Sequence, residues 1–177
     1  AMFDTALTTA DLVFLAKGAG MTLLVTAISV VLGTILGVIF GVFRTQVGPV
    51  WAAPLTFVLD VFRSIPLLIQ LVLANAFMGM VLRLQLSGFT IACGVLTLYT
   101  AAYCAEIVRG AIGAVPATTR RAARSLGLNW WQDMANIVMP LATRVALPSW
   151  IGLALGVMKD SALVYIVQVT ELLKATQ

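Results

Sequence analysis

The chain has 177 residues, of which 61% are hydrophobic and only 10% are charged, and its formal net charge is +4. Soluble domains carry about 25% charged residues, so this composition excludes a disordered chain, a disulfide-rich secreted scaffold and an ordinary soluble enzyme. An all-α integral membrane protein remains, and because the chain contains no histidine, histidine-based metal centres and catalytic triads are excluded as well.

Four apolar segments approach the length of about 20 residues that a helix needs to cross a bilayer core. We predict membrane spans at residues 18–43, 64–82, 84–108 and 144–170. Residues 109–143 form the longest segment between spans, and the whole chain, residues 1–177, is predicted to be a single transmembrane domain. Lys159 and Asp160 interrupt the fourth span, which is otherwise apolar.

Gly33, Gly37 and Gly41 recur every four residues in the first span, so they lie on one face of a helix. Small residues allow two membrane helices to approach closely. Routine packing between membrane helices explains this stripe better than a dedicated dimer seam does.

Basic residues predict the orientation of the spans. Six arginines fall on one side of the membrane: Arg44, Arg109, Arg120, Arg121, Arg124 and Arg144. The positive-inside rule places that side in the cytoplasm. The N-terminus is then outside, and segment 109–143 is the cytoplasmic part where we expect a partner to bind.

Polar side chains at membrane depth are costly, so each is a functional candidate. Lys159, Asp160 and Ser161 lie near the middle of the membrane, where either a solute-binding cavity or a salt bridge between helices would explain them. Gln70 lies within the second span and either bonds a neighbouring helix or lines a cavity.

Two oppositely charged pairs are each spaced by three residues, which places both members on one helix face. The pairs are Asp60 with Arg63 and Glu106 with Arg109. We predict that both are structural ion pairs.

The cytoplasmic segment is predicted to contain two short helices outside the membrane. The first opens after Pro116 and has a basic face and an apolar face, formed by Arg120, Arg121 and Arg124 and by Ala122, Ala123 and Leu126. Gly127 is expected to end this helix as a C-terminal cap. Asn129 is expected to cap a second helix that begins at Trp130.

This segment resembles the EAA loop of ABC importer permeases. Arg121-Ala122-Ala123 is followed by three residues, Gly127, nine residues and Ile137-Val138-Met139-Pro140, which matches the spacing of that loop. Two residues depart from the family pattern, because Arg121 stands where Glu is usual and Met139 where Leu is usual. The first departure reverses a charge, so an ionic contact made by that Glu in relatives is in doubt here.

Three further segments resemble the polar amino acid branch of these permeases. They are Phe62 to Gln70, Tyr103 to Gly110, and Met158 to Leu163. Together with Glu171-Leu172-Leu173, these segments extend the resemblance from about Leu12 to Gln177.

The resemblance implies the transmembrane-domain fold of a type I ABC importer and the role of a permease subunit that moves polar amino acids inward across the bacterial cytoplasmic membrane. Such a subunit has no cofactor or nucleotide site of its own, because a partner ATPase dimer binds ATP and Mg²⁺. The other implied partners are a second permease chain, identical or sister, a periplasmic or lipid-anchored binding protein, and membrane lipid, but no nucleic acid.

The resemblance also implies residues for each task. The loop that couples to the ATPase comprises Arg121, Ala122, Ala123, Leu126, Gly127 and Pro140. For the substrate we expect Asp160 to bind the ammonium group with help from Ser161 and Gln70, and Lys159 or a backbone nest to bind the carboxylate.

Relatives usually have a fifth span, so a final helix is expected to be missing from this chain, with a four-span variant as the alternative. Other functions stay open: a permease for another small polar solute, a channel or assembly subunit, or an intramembrane enzyme built on Lys159 and Ser161.

Overall fold

The structure is a computed structural model that describes residues 9–81, 83, 86–162 and 164. This part of the chain is helical and contains no strand, as an all-α membrane protein requires. Its elements are α1 (Thr9–Gln46), α2 (Pro49–Ser64), α3 (Leu67–Met80), α4 (Gly88–Gly113), α5 (Ala117–Ser125), α6 (Trp130–Asp133), a π-helical turn (Met134–Val138) and α7 (Met139–Asp160).

Three helices of the described part are long and apolar enough to cross a membrane. They cover Ala16–Gln46, Gly88–Gly113 and Trp130–Asp160. Helices α2 and α3 meet at an angle of 107°, and they would add a fourth crossing only if the bent pair counts as one span.

The second predicted span, residues 64–82, differs from the structure. Helix α2 ends at Ser64, because a residue before proline is disfavoured in the helical region and Pro66 has no backbone N–H to donate. Helix α3 then has 14 residues, which rise about 21 Å and fall short of a bilayer core. In this region only the bent pair of α2 and α3 is long and apolar enough to cross a membrane, and not a straight helix from residue 64.

The predicted loop 109–143 and fourth span 144–170 also need correction. Helix α4 continues to Gly113, and the helix that begins at Trp130 runs through the π-helical turn to Asp160. Pro140 lies in the first turn of α7 and Pro148 inside it, so neither ends the helix. The Lys159–Asp160 pair therefore lies at the end of a continuous helix; residues 163 and 165–170 are outside the described residues.

Helix α4 is the centre of the packing, because α1, α2, α3 and α7 all contact it. In its most apolar 18-residue stretch 61% of the residues are buried, compared with 22% in α1 and 11% in α7. Leu71, Leu96 and Val157 join α3, α4 and α7 in one buried cluster. Most of the surface of helix α7 is thus left uncovered by the other described helices.

The glycine stripe of α1 packs against α4. A Cβ atom built on Gly33, Gly37 or Gly41 would lie 2.5, 2.5 or 2.7 Å from the Cβ of Thr100, Cys104 or Val108, respectively. The two helices run parallel, because each step of four residues in α1 matches a step of four in α4. The prediction that the stripe serves packing between helices is confirmed.

Candidate functional site

A groove of about 300 Å³ lies between α4 and α7. Helix α4 contributes Tyr99, Tyr103 and Ile107, and helix α7 contributes Ser149, Gly152, Leu153, Gly156, Val157 and Asp160. On α7 the small residues and the aspartate share one helix face. A Cβ atom at Gly152 or Gly156 would meet nothing within 4 Å, so these glycines leave the groove open.

Only one of the three adjacent polar residues at the end of α7 faces this groove. Asp160 lines it and is partly buried, whereas Lys159 is exposed. Ser161 is buried against α1, where its Oγ lies 3.0 Å from Thr26 Oγ1 and donates to the Met158 carbonyl at 2.7 Å. The three side chains therefore do not form one cluster.

Gln70 lies at the bend between α2 and α3 and not in the groove. Its Nε2 donates to the carbonyls of Phe62 at 2.6 Å and Ile65 at 2.8 Å. Tyr103 adds a third such bond, from its hydroxyl to the Arg63 carbonyl at 3.2 Å. These bonds satisfy carbonyls that the bend leaves without their usual helical partners, since Pro66 has no backbone N–H to donate.

A second polar cluster, which we call the Glu106 hub, joins three helices. The Glu106 carboxylate lies 3.1 Å from Arg44 Nη1 of α1 and 3.3 Å from Arg63 Nη1 of α2. Arg109 Nε of α4 donates to the same carboxylate at 3.1 Å. The Arg44 side chain is only 6% exposed, and its Nε donates to Thr56 Oγ1 at 3.0 Å.

The two predicted ion pairs are confirmed as parts of this cluster. Arg63 lies 3.2 Å from Asp60, and Arg109 pairs with Glu106. The bonds from Glu106 to Arg44 and Arg63 were not predictable from spacing, since the partners are 62 and 43 positions away. The signal in the sequence was an acidic residue near the C-terminal end of a long apolar helix.

The elbow between α5 and α6 is capped on both sides. Gly127 has φ +81°, and the N–H groups of Gly127 and Leu128 bond the carbonyls of Arg124 and Ala123 at 3.0 and 3.3 Å. This is the Schellman arrangement. Asn129 forms a capping box with Gln132 at the start of α6. Both capping predictions are confirmed.

The predicted division of α5 into a basic and an apolar face is wrong in part. Arg120 points inward, where its Nε lies 3.2 Å from the buried carboxylate of Asp133. Among the expected apolar residues Ala123 is buried, but Ala122 is exposed and Leu126 is 82% exposed. The reason is that α5 packs on the chain through Ala123 and the Arg120–Asp133 pair.

The exposed side of the elbow therefore mixes cationic and apolar groups. Arg121, Ala122, Arg124, Leu126 and Gly127 are all exposed, and so is Pro140 in the first turn of α7. On α6, Trp131 is 75% exposed and its ring makes an edge-to-face contact with Trp130. Five of the six residues expected to couple to a partner are thus accessible, and Ala123 is not.

Residues 33–176 match the family described as "Binding-protein-dependent transport system inner membrane component". The chain is 33% identical over 174 residues to a probable amino-acid ABC transporter permease protein, YckA, of Bacillus subtilis, which covers 98% of this chain and 76% of the relative. It is 31% identical over 167 residues to the glutamine transport system permease protein GlnP of Escherichia coli K12, with 92% and 75% covered.

Among solved structures, the chain is similar to the crystal structure of an amino acid ABC transporter with histidines. The TM-score is 0.74 at 27% identity, and the match covers 91% of this chain and 78% of the other. An inward-facing methionine ABC transporter, MetNI, also gives a TM-score of 0.74, at 24% identity, which supports the fold alone.

Proposed function

The chain belongs to the family of binding-protein-dependent transport system inner membrane components, and from this premise we propose that it is the permease subunit that moves polar amino acids inward in an ATP-driven importer. In this proposal the α5–α6 elbow faces the cytoplasm of a bacterial cell. The observation that carries the proposal is the groove between α4 and α7 with its single carboxylate.

The groove fits a small cationic or zwitterionic solute. A carboxylate beside aromatic rings is a favourable environment for an ammonium group, and Asp160 lines the groove together with Tyr99 and Tyr103. The α-ammonium of an amino acid supplies that charge. Because α7 is largely uncovered by the other described helices, a second permease chain, identical or sister, would complete the path.

The other expected substrate residues divide into two groups. Lys159 is exposed next to Asp160, so we retain it as the proposed contact for the substrate carboxylate. Ser161 and Gln70 are buried in bonds within the chain, and we assign them to packing of the helices.

Replacing Asp160 with Asn is expected to raise the substrate concentration for half-maximal uptake about tenfold. A hydrogen bond to a charged group contributes about 1.5–3 kcal/mol, and each 1.4 kcal/mol is a factor of ten in affinity. The assay is uptake into proteoliposomes that contain the permease, its ATPase and the binding protein. Ser161→Ala, one residue away but outside the groove, is the matched control, and an unchanged half-saturation in the Asp160 variant would remove Asp160 from the site.

The elbow is the proposed contact with the partner ATPase dimer, whose two subunits bind the loops of the two permease chains, bind ATP and Mg²⁺, and contribute all nucleotide chemistry. Helix α5 is capped and packs on the chain through Ala123 and the Arg120–Asp133 pair, so it can transmit a displacement of the ATPase without deforming. Closure of the ATPase pair would then move α7, because α6 continues into it. The exposed arginines and Leu126 would meet the partner.

Gly127→Val is expected to lower the uptake rate about tenfold while the permease still inserts and purifies. The left-handed conformation at Gly127 costs a residue with a Cβ about 1–2 kcal/mol, more for a branched one, so the variant should redirect α5 relative to α6. Gly113→Val is the matched control, because its added Cβ meets nothing within 4 Å and its φ lies outside the left-handed range. The measurements are uptake and ATP hydrolysis in proteoliposomes; normal uptake in the Gly127 variant would refute the assignment.

The competing functions are separable by experiment. An intramembrane enzyme would need Lys159 and Ser161 together, but one is exposed and the other buried against α1. A channel or assembly subunit would not require ATP for uptake, and a permease for another solute would fail a screen with polar amino acids. Purification with the neighbouring subunits and a screen of ATPase stimulation tests all three.

A further inference from the structure

We propose that the contact between Arg63 and Glu106 is a closure between α2 and α4 that opens during transport, and that Asp60 is the positioning residue that allows it to open. This proposal rests on the transport function proposed above. It arises from an imbalance in the Glu106 hub, where three guanidinium groups share one carboxylate.

Two of the three arginines are held in place. Arg44 belongs to α1, which the glycine stripe locks against α4, and it bonds both Glu106 and Thr56. Arg109 lies on the same helix as Glu106 and moves with it. Loss of the Arg44 contact would disturb the packing of α1 against α4, and the Arg109 contact lies within α4 itself.

Arg63 differs because it has a second carboxylate on its own helix. Its Nη1 lies 3.2 Å from Asp60 and 3.3 Å from Glu106, and its Nε has no hydrogen-bond partner among the described residues. If α2 separates from α4, Arg63 loses Glu106 but keeps Asp60. The movement therefore leaves the Arg63 guanidinium paired with a carboxylate throughout, so it does not incur the cost of an unpaired charge.

Helix α2 is the element able to make this movement. Only Ala52 and Leu59 of its 16 residues are buried, and Leu59 packs on Ala102 and Ala105, two small side chains of α4. No glycine interlock like that of α1 is present between the described residues of α2 and α4. A shift of α2 thus breaks few apolar contacts. The hydrogen bonds that it breaks or stretches are those of Arg44 with Thr56 and of Tyr103 with the Arg63 carbonyl.

The Arg63–Glu106 contact lies between two cavities, which is the position that a closure requires. Arg63 lies over the ring of Tyr103, 5.7 Å from its centre, and Tyr103 lines the groove of Asp160. On its other side Arg63 pairs with Asp60, which lines a second cavity of about 500 Å³ together with Arg44, Thr56 and Arg109. Opening the Arg63–Glu106 contact would connect the two spaces and give a solute in the groove a route past α2.

Substitution of Asp60 by Asn should slow the opening. In the closed state Arg63 still has Glu106, but in the open state it has no carboxylate, so the closed state is favoured. We expect the maximal uptake rate of the complete transporter in proteoliposomes to fall about tenfold with half-saturation unchanged. Asp60→Glu should restore the rate, which a loss of structure alone would not explain.

Arg63→Gln should have the opposite effect, since it removes the ionic link while leaving Arg44, Arg109 and Glu106 paired. We expect ATP hydrolysis without substrate to rise several-fold. A spectroscopic measurement tests the proposal independently of transport. Spin labels are attached at Phe57 of α2 and Gly113 of α4, which are both exposed, and the distance between them is measured in nanodiscs. The protein for this experiment carries Cys93→Ala and Cys104→Ala, so that no native thiol is labelled.

The distribution of distances between the two labels should be narrower in the Asp60→Asn variant and wider in the Arg63→Gln variant than in the unsubstituted protein. Distributions that match the unsubstituted protein in both variants, or a rate change in Asp60→Asn that Asp60→Glu does not restore, would overturn the closure. Absence of ATP-dependent uptake by the unsubstituted complex would instead refute the transport function, and the label distances would still decide whether α2 moves.

Discussion

Replacing Gly37 with leucine is expected to abolish folding of the transmembrane domain. A Cβ atom at this position would lie 2.5 Å from the Cβ of Cys104 and 3.0 Å from the carbonyl oxygen of Ala101. Cys104 is 1% exposed at the centre of the most buried helix, so neither it nor the backbone beside it can move away. The leucine must therefore push α1 off α4.

The size of the effect follows from what holds membrane helices together. Overpacking a core costs about 1–3 kcal/mol in soluble proteins, and membrane helices associate through close packing without a hydrophobic drive between them. Separation of α1 from α4 also strains the neighbouring contacts at Gly33 and Gly41. We expect a loss of more than about 3 kcal/mol.

The measurement is the yield of monodisperse protein in detergent and its Tm. Gly20→Leu is the matched control, because Gly20 lies in the same helix and a Cβ there meets nothing within 4 Å. That variant should purify like the unsubstituted protein. A Gly37→Leu protein with normal yield and Tm would show that α1 and α4 do not pack as described.

Replacing Glu106 with Gln is expected to destabilise the domain by about 3 kcal/mol, the lower end of the cost of breaking a buried ion pair, because Arg44 is buried and the Glu106 side chain is 28% exposed. The Arg44 side chain, 6% exposed, would keep its buried charge with no carboxylate beside it. The same change removes the link from α4 to Arg63 of α2. Thermal unfolding in detergent, followed by near-ultraviolet circular dichroism, gives the measurement.

A double variant separates the ion pair from other causes. Arg44→Gln combined with Glu106→Gln leaves no unpaired charge between α1 and α4, so part of the lost stability should return. Arg109→Gln is the control: its side chain is 47% exposed and it joins no second helix to the hub, so it should cost far less. A double variant no more stable than Glu106→Gln alone would contradict the role of the hub.

Local features of this protein were predictable because neighbouring residues decide them. The Schellman cap at Gly127 and the capping box at Asn129 depend on bonds within four or five positions. The Asp60–Arg63 and Glu106–Arg109 pairs depend on helical spacing alone. Family membership was also predictable, since the EAA-like segment lies within the matched residues 33–176.

Other features were not predictable because they depend on which helices become neighbours. The direction of Arg120 toward Asp133, the burial of Ser161 against Thr26, and the bonds of Gln70 to the end of α2 each join different elements. The 107° bend required knowing that Pro66 separates two helices and not a helix from a loop. Spacing along one chain carries no information about these pairings.

The sequence by itself determined that this protein is a helical membrane permease of the importer family, with a glycine face on its first helix and a capped elbow between α5 and α6. The membrane class, the glycine face and the caps follow from composition, periodicity and short-range capping, which are local, whereas the family followed from the resemblance of motifs and is shown by the match over residues 33–176. Only the tertiary structure decided that Asp160 faces the groove while its neighbours do not, and that Glu106 joins Arg44 of α1 and Arg63 of α2. Both depend on how α1, α2 and α7 are placed around α4, and the close approach of helix faces sets that placement.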